Sequence, residues 1–377
     1  MPAHDVAVIL GTRPEIIKFA PVVRRLGSRA RILHTGQHDD HALSAQLFQQ
    51  LGLPHPHVVL SDVGGKGRTS QIATAMRALE LEFIRNRPAV AVVQGDRNSA
   101  SAGAQAASYA GIPLVHIEAG LRSRDRALPE EINRLVIGAL ADVHCAVTAE
   151  NADNLIGEGV PSERVAVTGN TIVDSALASI SSGPAATAPG KTESGGVLAT
   201  IHRPENTDGR DSLLRVLRGL NGIEAPVTLI AHPRTRAAIE RFGLLGELAA
   251  IDLVEPLGHA AFLARARAAR LVVSDSRGIQ EECTVIGKPL MVIRRSTERP
   301  ESIDSGFATL VTPEIDIAET ANYLLAVPML EQLLRNRPSP YGDGEAGKRI
   351  ALICTKIADG RTTADAVAGI GIPTRAH

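Results

Sequence analysis

A chain of 377 residues with 44% hydrophobic content can bury two cores, and 40 basic against 41 acidic residues argue against a nucleic-acid surface. Aromatic residues make up 2% and Trp is absent, so a base-stacking platform is not expected either. Three scattered cysteines, no apolar run near roughly 18 residues and a start that leads straight into a strand predict a cytoplasmic protein with no disulfide frame, membrane span or secretory signal.

Short apolar strands then alternate with helical stretches. Val6–Leu10 reads as a strand ending in Gly11-Thr12-Arg13-Pro14-Glu15, followed by a helix from Ile16 to about Leu26. Arg31–Thr35 ends in Gly36-Gln37-His38-Asp39-Asp40, Ala89–Val93 in Gln94-Gly95-Asp96-Arg97, and Pro113–Ile117 in Glu118-Ala119-Gly120. His144–Val147 and Val165–Val167 complete a first set. Ser179–Gly195, rich in Ser, Ala, Gly and Pro, reads as a linker or surface hairpin. A second set follows: Val197–Ile201 ending in His202-Arg203-Pro204-Glu205-Asn206, Val227–Ala231 ending in His232-Pro233, Ile251–Val254, then Leu271–Val273 and Pro289–Ile293. A last helix, Asp343–Ala358, is expected to pack back across the first domain. Strands alternating with helices predict parallel βαβ units, an α/β fold of two doubly wound halves with a ligand cleft between them. The expected domains are 1–178, joined by the C-terminal helix at about 355–377, and 179–354.

Parallel sheets gather their chemistry at the carboxyl ends of their strands, and the polar motifs of this chain fall there repeatedly. Between two apolar strands, Ser274-Asp275-Ser276-Arg277-Gly278 feeds a helix whose first N–H groups and dipole suit an anion. The loop Arg294–Glu301 crowds cations and carboxylates together. The first half supplies Arg13, Asp96, Glu118, Glu130 and Glu131. Several of these acids have an ordinary structural explanation as well: Asp96 as a helix cap, Glu118 as a lone strand-end acid, Glu130-Glu131 as helix-start acids; His202 likewise could be a satisfied loop histidine. Their recurrence at strand ends favours a site.

What is missing narrows the chemistry. Gly64-Gly65-Lys66-Gly67 has the wrong spacing for a dinucleotide fingerprint, and no phosphate loop of the G-x-x-x-x-G-K-[ST] kind is present. No Cys/His cluster has zinc spacing, and the adjacent residues His38-Asp39-Asp40-His41 do not converge easily on a metal. No metal or cofactor is expected. Anion recognition with several acids nearby suits an enzyme of nucleotide sugars.

GTRPEIIKFAPV (11–22), GQH (36–38), GD (95–96), HIEAGLR (116–122), PEEINR (129–134), VTGNTIVD (167–174), HRPEN (202–206), SDSRGIQEE (274–282), GKP (287–289) and TERPE (297–301) follow one another in order. From end to end the chain resembles the non-hydrolysing UDP-N-acetylglucosamine 2-epimerases. The resemblance implies two Rossmann-like domains of the glycosyltransferase-B type, a homodimer, and interconversion of UDP-GlcNAc with UDP-ManNAc. That proton at C2 has no ring carbonyl beside it, so inversion without a nicotinamide requires elimination of UDP to a 2-acetamidoglucal and re-addition. Such a route needs proton-transfer groups at C2 and charge stabilisation of departing UDP.

Carried over position by position, the resemblance implies catalytic roles for Asp96, Glu118, Glu131 and His202. It implies UDP and sugar binding by Arg13, Lys18, Ser276, Arg277, Gly278, Glu282 and Arg299. A second UDP-GlcNAc site would use Gln37, His38, Arg203 and His232. Three departures stand out. Arg97 replaces the usual Thr after Gly-Asp, Arg277 replaces a Gly of the phosphate turn, and Asp39-Asp40 replace a Gln or Arg that helps hold the second nucleotide sugar. The two aspartates predict weak or absent activation by UDP-GlcNAc. A hydrolysing 2-epimerase, a glycosyltransferase of the same fold class and a non-catalytic nucleotide-sugar sensor are the alternative readings.

Overall fold

A computed structural model describes residues 4–37, 41–182 and 195–371. The chain forms two compact units, 1–175 with 342–377, and 176–341. The first holds a seven-stranded sheet: β1 Val6–Leu10, β2 Ala30–His34, β3 Val58–Val59, β4 Val90–Gln94, β5 Leu114–Ala119, β6 Val143–Ala146 and β7 Val165–Val167. The second holds six strands: β8 Val197–Thr200, β9 Val227–Ile230, β10 Ile251–Val254, β11 Leu271–Ser274, β12 Leu290–Ile293 and β13 Ala308–Val311. All pairings are parallel. Each unit is therefore α/β, as expected.

The sheets order themselves as β3-β2-β1-β4-β5-β6-β7 and β10-β9-β8-β11-β12-β13. In both, the order reverses at the first strand, between β1 and β4 and between β8 and β11. Loops leave such a switch point in opposite directions and open a crevice. The strands are short apolar runs because helices cover both faces. Val6, Val8 and Leu10 enter one core while Ala7 and Ile9 enter the other, and in the second unit Val197 and Ala199 alternate with Leu198. Cys145, Cys283 and Cys354 are buried thiols.

The expected elements are present with small shifts. The first helix starts at Arg13, three residues before Ile16, because Pro14 fits a first turn, where its missing N–H costs nothing. The edge strands β3 and β13 were not anticipated. β3 has only two residues, and β13 has a half-buried pattern that lacks the continuous apolar run of a central strand. The interdomain stretch also differs, since Ser179–Ser182 continue the Thr171–Ser182 helix; residues 183–194 lie outside the described residues.

The unit boundaries fall at 175/176 and 341/342, ahead of the expected 178/179 and 354/355. The return comes early because the whole Ala346–Ala358 helix packs on the first unit, placing Ile350, Ile353, Cys354 and Ile357 in its core. Gly347 permits that approach: a Cβ there would sit 2.6 Å from Pro21 Cβ in the Arg13–Leu26 helix. Among the described residues no helix is long and apolar enough to cross a membrane.

Candidate active site

In the first unit the acids gather at the ends of β1, β4 and β5. Gly11 follows β1 because any side chain would collide with Thr35, whose Oγ1 lies 2.0 Å from the Cβ position. Buried Glu15 ties this turn down, accepting from Gly11 N (3.1 Å), Thr12 Oγ1 (2.8 Å) and Ser99 Oγ (2.6 Å). Its pKa is raised because burial outweighs those donors. The turn leaves Arg13 exposed at the helix start. Lys18, a turn further on, donates to Glu118 Oε1 at 2.7 Å.

Glu118 is the penultimate residue of β5, at a register slip between Ile117 and Ala119, and its φ is +63°. That left-handed conformation costs a non-glycine residue about 1 kcal/mol or more, and such strain clusters at functional sites. The carboxylate, 8% exposed, also receives Asn170 Nδ2 at 3.4 Å. Gly95 lies alongside, with φ +67° and a Cβ position 3.3 Å from Glu118 Oε2. His116 holds Gly95 through a 2.9 Å contact between Nε2 and the carbonyl oxygen. Burial pushes the His116 pKa down to about 4, so the ring is neutral and donates at pH 7.

Asp96 takes a 2.5 Å contact from Arg134 Nη2, and its carbonyl accepts from Asn133 Nδ2 at 2.9 Å. Arg134 reaches Glu131 with Nη1 at 2.8 Å. Glu131 also accepts from Ser123 N (3.0 Å), Ser123 Oγ (3.1 Å) and Arg124 N (2.9 Å). Burial alone would raise its pKa, but the Ser123, Arg134 and Arg124 donors hold it below the ordinary value. Glu131 is thus an ionised anchor that orients Arg134 toward Asp96. The sequence offered Arg134 only as the last letter of PEEINR.

In the second unit Asp275 sits between β11 and the helix Arg277–Ile286, wholly buried. It accepts from His202 N (3.1 and 3.0 Å), Arg203 N (2.9 Å) and Asn206 Nδ2 (3.0 Å), and faces His202 Nδ1 at 3.2 Å. Burial would raise its pKa, yet the His202, Asn206 and Arg203 contacts hold it low. Asp275 therefore shapes the loop after β8 and aims His202, a role sequence reasoning missed. Its signal was an acid directly after a buried strand. The His202 ring lies 5.1 Å from that of His232, beside Arg203.

Ser276, Arg277 and Gly278 are half-buried at the helix start, and Gly278 has open space where a Cβ would be. Arg277 ion-pairs with Glu298, which also takes Arg294 Nη1 at 2.8 Å. Glu282 pairs with His259 at 2.8 Å. Burial alone would lower the His259 pKa, but Glu282 raises it. Arg299 is 3% exposed and bound to Glu281 at 2.6 Å, so it braces the loop from inside instead of lining the turn. Of the second-site candidates, His232 lies against His202, and Arg203 donates from Nε to the Asp275 carbonyl at 3.3 Å. In the other unit Gln37 Oε1 accepts from Ser99 N at 3.0 Å. His38, Asp39 and Asp40 lie outside the described residues. Among the described residues no cluster could hold a metal ion.

The family model described as UDP-N-acetylglucosamine 2-epimerase matches residues 23–355. The chain belongs to the UDP-N-acetylglucosamine 2-epimerase family. It is 35% identical over 364 residues to the UDP-N-acetylglucosamine 2-epimerase of Methanococcus maripaludis, covering 93% of this chain and 98% of that protein. It is 36% identical over 366 residues to the UDP-2,3-diacetamido-2,3-dideoxy-D-glucuronate 2-epimerase of Pseudomonas aeruginosa, covering 93% and 99%. The Methanocaldococcus jannaschii UDP-GlcNAc 2-epimerase, solved with UDP-GlcNAc and UDP, superposes with a TM-score of 0.81 at 33% identity, covering 93% of this chain and 99% of that one. The 2-epimerase motifs quoted from the sequence therefore rest on a shared fold along nearly the whole chain.

Proposed function

We propose that the chain interconverts UDP-GlcNAc and UDP-ManNAc as a non-hydrolysing 2-epimerase, by elimination of UDP across C1–C2 and re-addition. The observation that carries this reading is Glu118, a buried carboxylate held in a strained backbone beside Lys18 and Gly95-Asp96. Glu118 and Asp96 move the proton at C2, and Lys18 sets the charge around Glu118. Glu131 positions Asp96 through Arg134. The Ser276–Gly278 turn with its helix start binds the diphosphate, and His202 assists its departure. Arg13 is a further substrate-binding residue. Glu282 turns from His259 toward the ribose.

A homodimer in the cytoplasm completes the proposal. The dimer is supported by Ile84 and Tyr109, each 75% exposed on neighbouring helices of the first unit, which are apolar side chains suited to a partner surface.

The test is incubation with UDP-GlcNAc in deuterated water, followed by NMR. Deuterium at C2 of recovered UDP-HexNAc, with no nicotinamide added, is the expected result; free ManNAc with UDP would indicate the hydrolysing reaction. Label at C3 or C4 would refute the elimination route.

Arg97 favours a second reading. This half-buried cation beside Asp96 suits an acidic sugar, such as the one named for the Pseudomonas aeruginosa relative. Exchange with that UDP-uronate and none with UDP-GlcNAc would establish it.

A further inference from the structure

The second unit has another cationic feature, apart from the Ser276–Gly278 turn. A cavity of about 50 Å³ lies where the loops after β8, β12 and β13 meet the helix Arg210–Asn221. Arg215, Arg294, Arg295, Ser212, Asn206 and Glu205 line it. Arg294, 8% exposed, spends Nη1 on Glu298, but its buried Nε makes no hydrogen bond. The Glu205 carboxylate is 3.4 Å from that nitrogen. Arg215 likewise has a buried Nη1 without a hydrogen-bond acceptor. Burial lowers the pKa of both guanidinium groups, the mark of positive charge only partly compensated.

Three guanidinium groups thus face one lining carboxylate, Glu205, while the exposed Glu314 acts on Arg215 and Arg295 from the rim. Buried donors without acceptors are costly, and an oxyanion would satisfy them with charge-assisted hydrogen bonds. A cavity this size holds a few water molecules or one tetrahedral oxyanion, and is too small for a nucleoside diphosphate.

We propose that this cavity binds a phosphate-sized oxyanion, either the free ion or the terminal group of a phosphate monoester. The site is separate from the diphosphate turn but joined to it, because Arg294 and Arg277 share Glu298.

The experiment is calorimetric titration of the full chain with inorganic phosphate at low ionic strength, in the wild type, Arg215→Gln and Arg218→Gln. Arg218 lies on the same helix, 66% exposed and paired with Glu247, and serves as the charge control. Arg215→Gln should weaken phosphate binding about tenfold or more, while Arg218→Gln binds as the wild type does. Both variants should keep the wild-type melting temperature and UDP affinity in phosphate-free buffer. No binding by the wild type, no weakening in Arg215→Gln, or equal weakening in both variants would overturn the proposal. Methyl phosphate separates the two sources, since a site for the monoester accepts it and a site for the free ion does not. Should Arg215→Gln fail to fold, phosphate-soaked crystals decide: density between Arg215 Nη1 and Arg294 Nε supports the site, and its absence there removes it.

Discussion

Glu118 carries both a chemical and a conformational burden, and two substitutions separate them. Glu118→Gln keeps the shape and the φ of +63° but removes the base. It should lower kcat about 10²-fold or more, as expected for a positioned proton-transfer group, with UDP affinity unchanged in calorimetry. Glu118→Gly removes the base and also relieves the left-handed strain, so it should be equally inactive yet melt no lower than the wild type, despite losing the Lys18 contact. A melting temperature several degrees lower would show that the ion pair outweighs the strain. Asp275→Asn tests the aim of His202. An amide would set donors against the His202 and Arg203 N–H groups, so kcat should fall about 10²-fold or more while the chain stays folded by circular dichroism. Wild-type turnover in Asp275→Asn would mean that His202 needs no such support.

At the level of elements, the Ala346–Ala358 helix is capped by a group that titrates near neutrality. Asp174 Oδ1 accepts from Gly347 N at 2.8 Å, and burial raises its pKa to about 6 despite that bond. An acid with a raised folded pKa favours folding while protonated. Its contribution is therefore complete below the unfolded value of 3.8 and is lost as pH rises through about 6. Asp174→Asn stays neutral and should gain on the wild type by up to about 3 kcal/mol between pH 4 and 7. Melting temperatures across that range check it, and a constant difference would refute it. His116 and His144, both pushed down by burial, act in the opposite direction on acidification, but equally in both proteins.

Central strands such as Val6–Leu10 were legible because burial on two faces demands an unbroken apolar run that ends abruptly in polar residues. Val58–Val59 and Ala308–Val311 lie at sheet edges, where that demand lapses. The same limit applied to the site. Residues at strand ends could be read, whereas the Asp275 contacts to His202–Asn206 span about seventy positions and exist only once β8 and β11 pair. Glu131 was legible as an acid but not as an anchor, because its donors come from a loop without periodicity.

On the scale of the molecule, the two units differ in how the chain builds them. The second is one continuous piece with its own cores on both faces of a six-stranded sheet. The fragment 171–341, which starts at the head of the Thr171–Ser182 helix, should unfold cooperatively and gain about 5–10 °C in melting temperature at UDP a hundredfold above its Kd. Residues 1–175 alone lack Ile350, Ile353 and Ile357 from the core and should be insoluble. A soluble, cooperatively folded 1–175 would show that the returning helix is dispensable.

The thiols described earlier have a practical consequence. Cys145, Cys283 and Cys354 are buried, and burial pushes all three pKa values up, that of Cys354 to about 12. Thiolate is the form that reacts with maleimides, and such sites supply almost none of it. The native chain therefore offers a silent chemical background. One cysteine introduced at an exposed position in each unit, for instance by Ile156→Cys and Leu245→Cys, would take a fluorophore pair with no native cysteine removed. Energy transfer between the two dyes would then report directly whether nucleotide binding draws the units together.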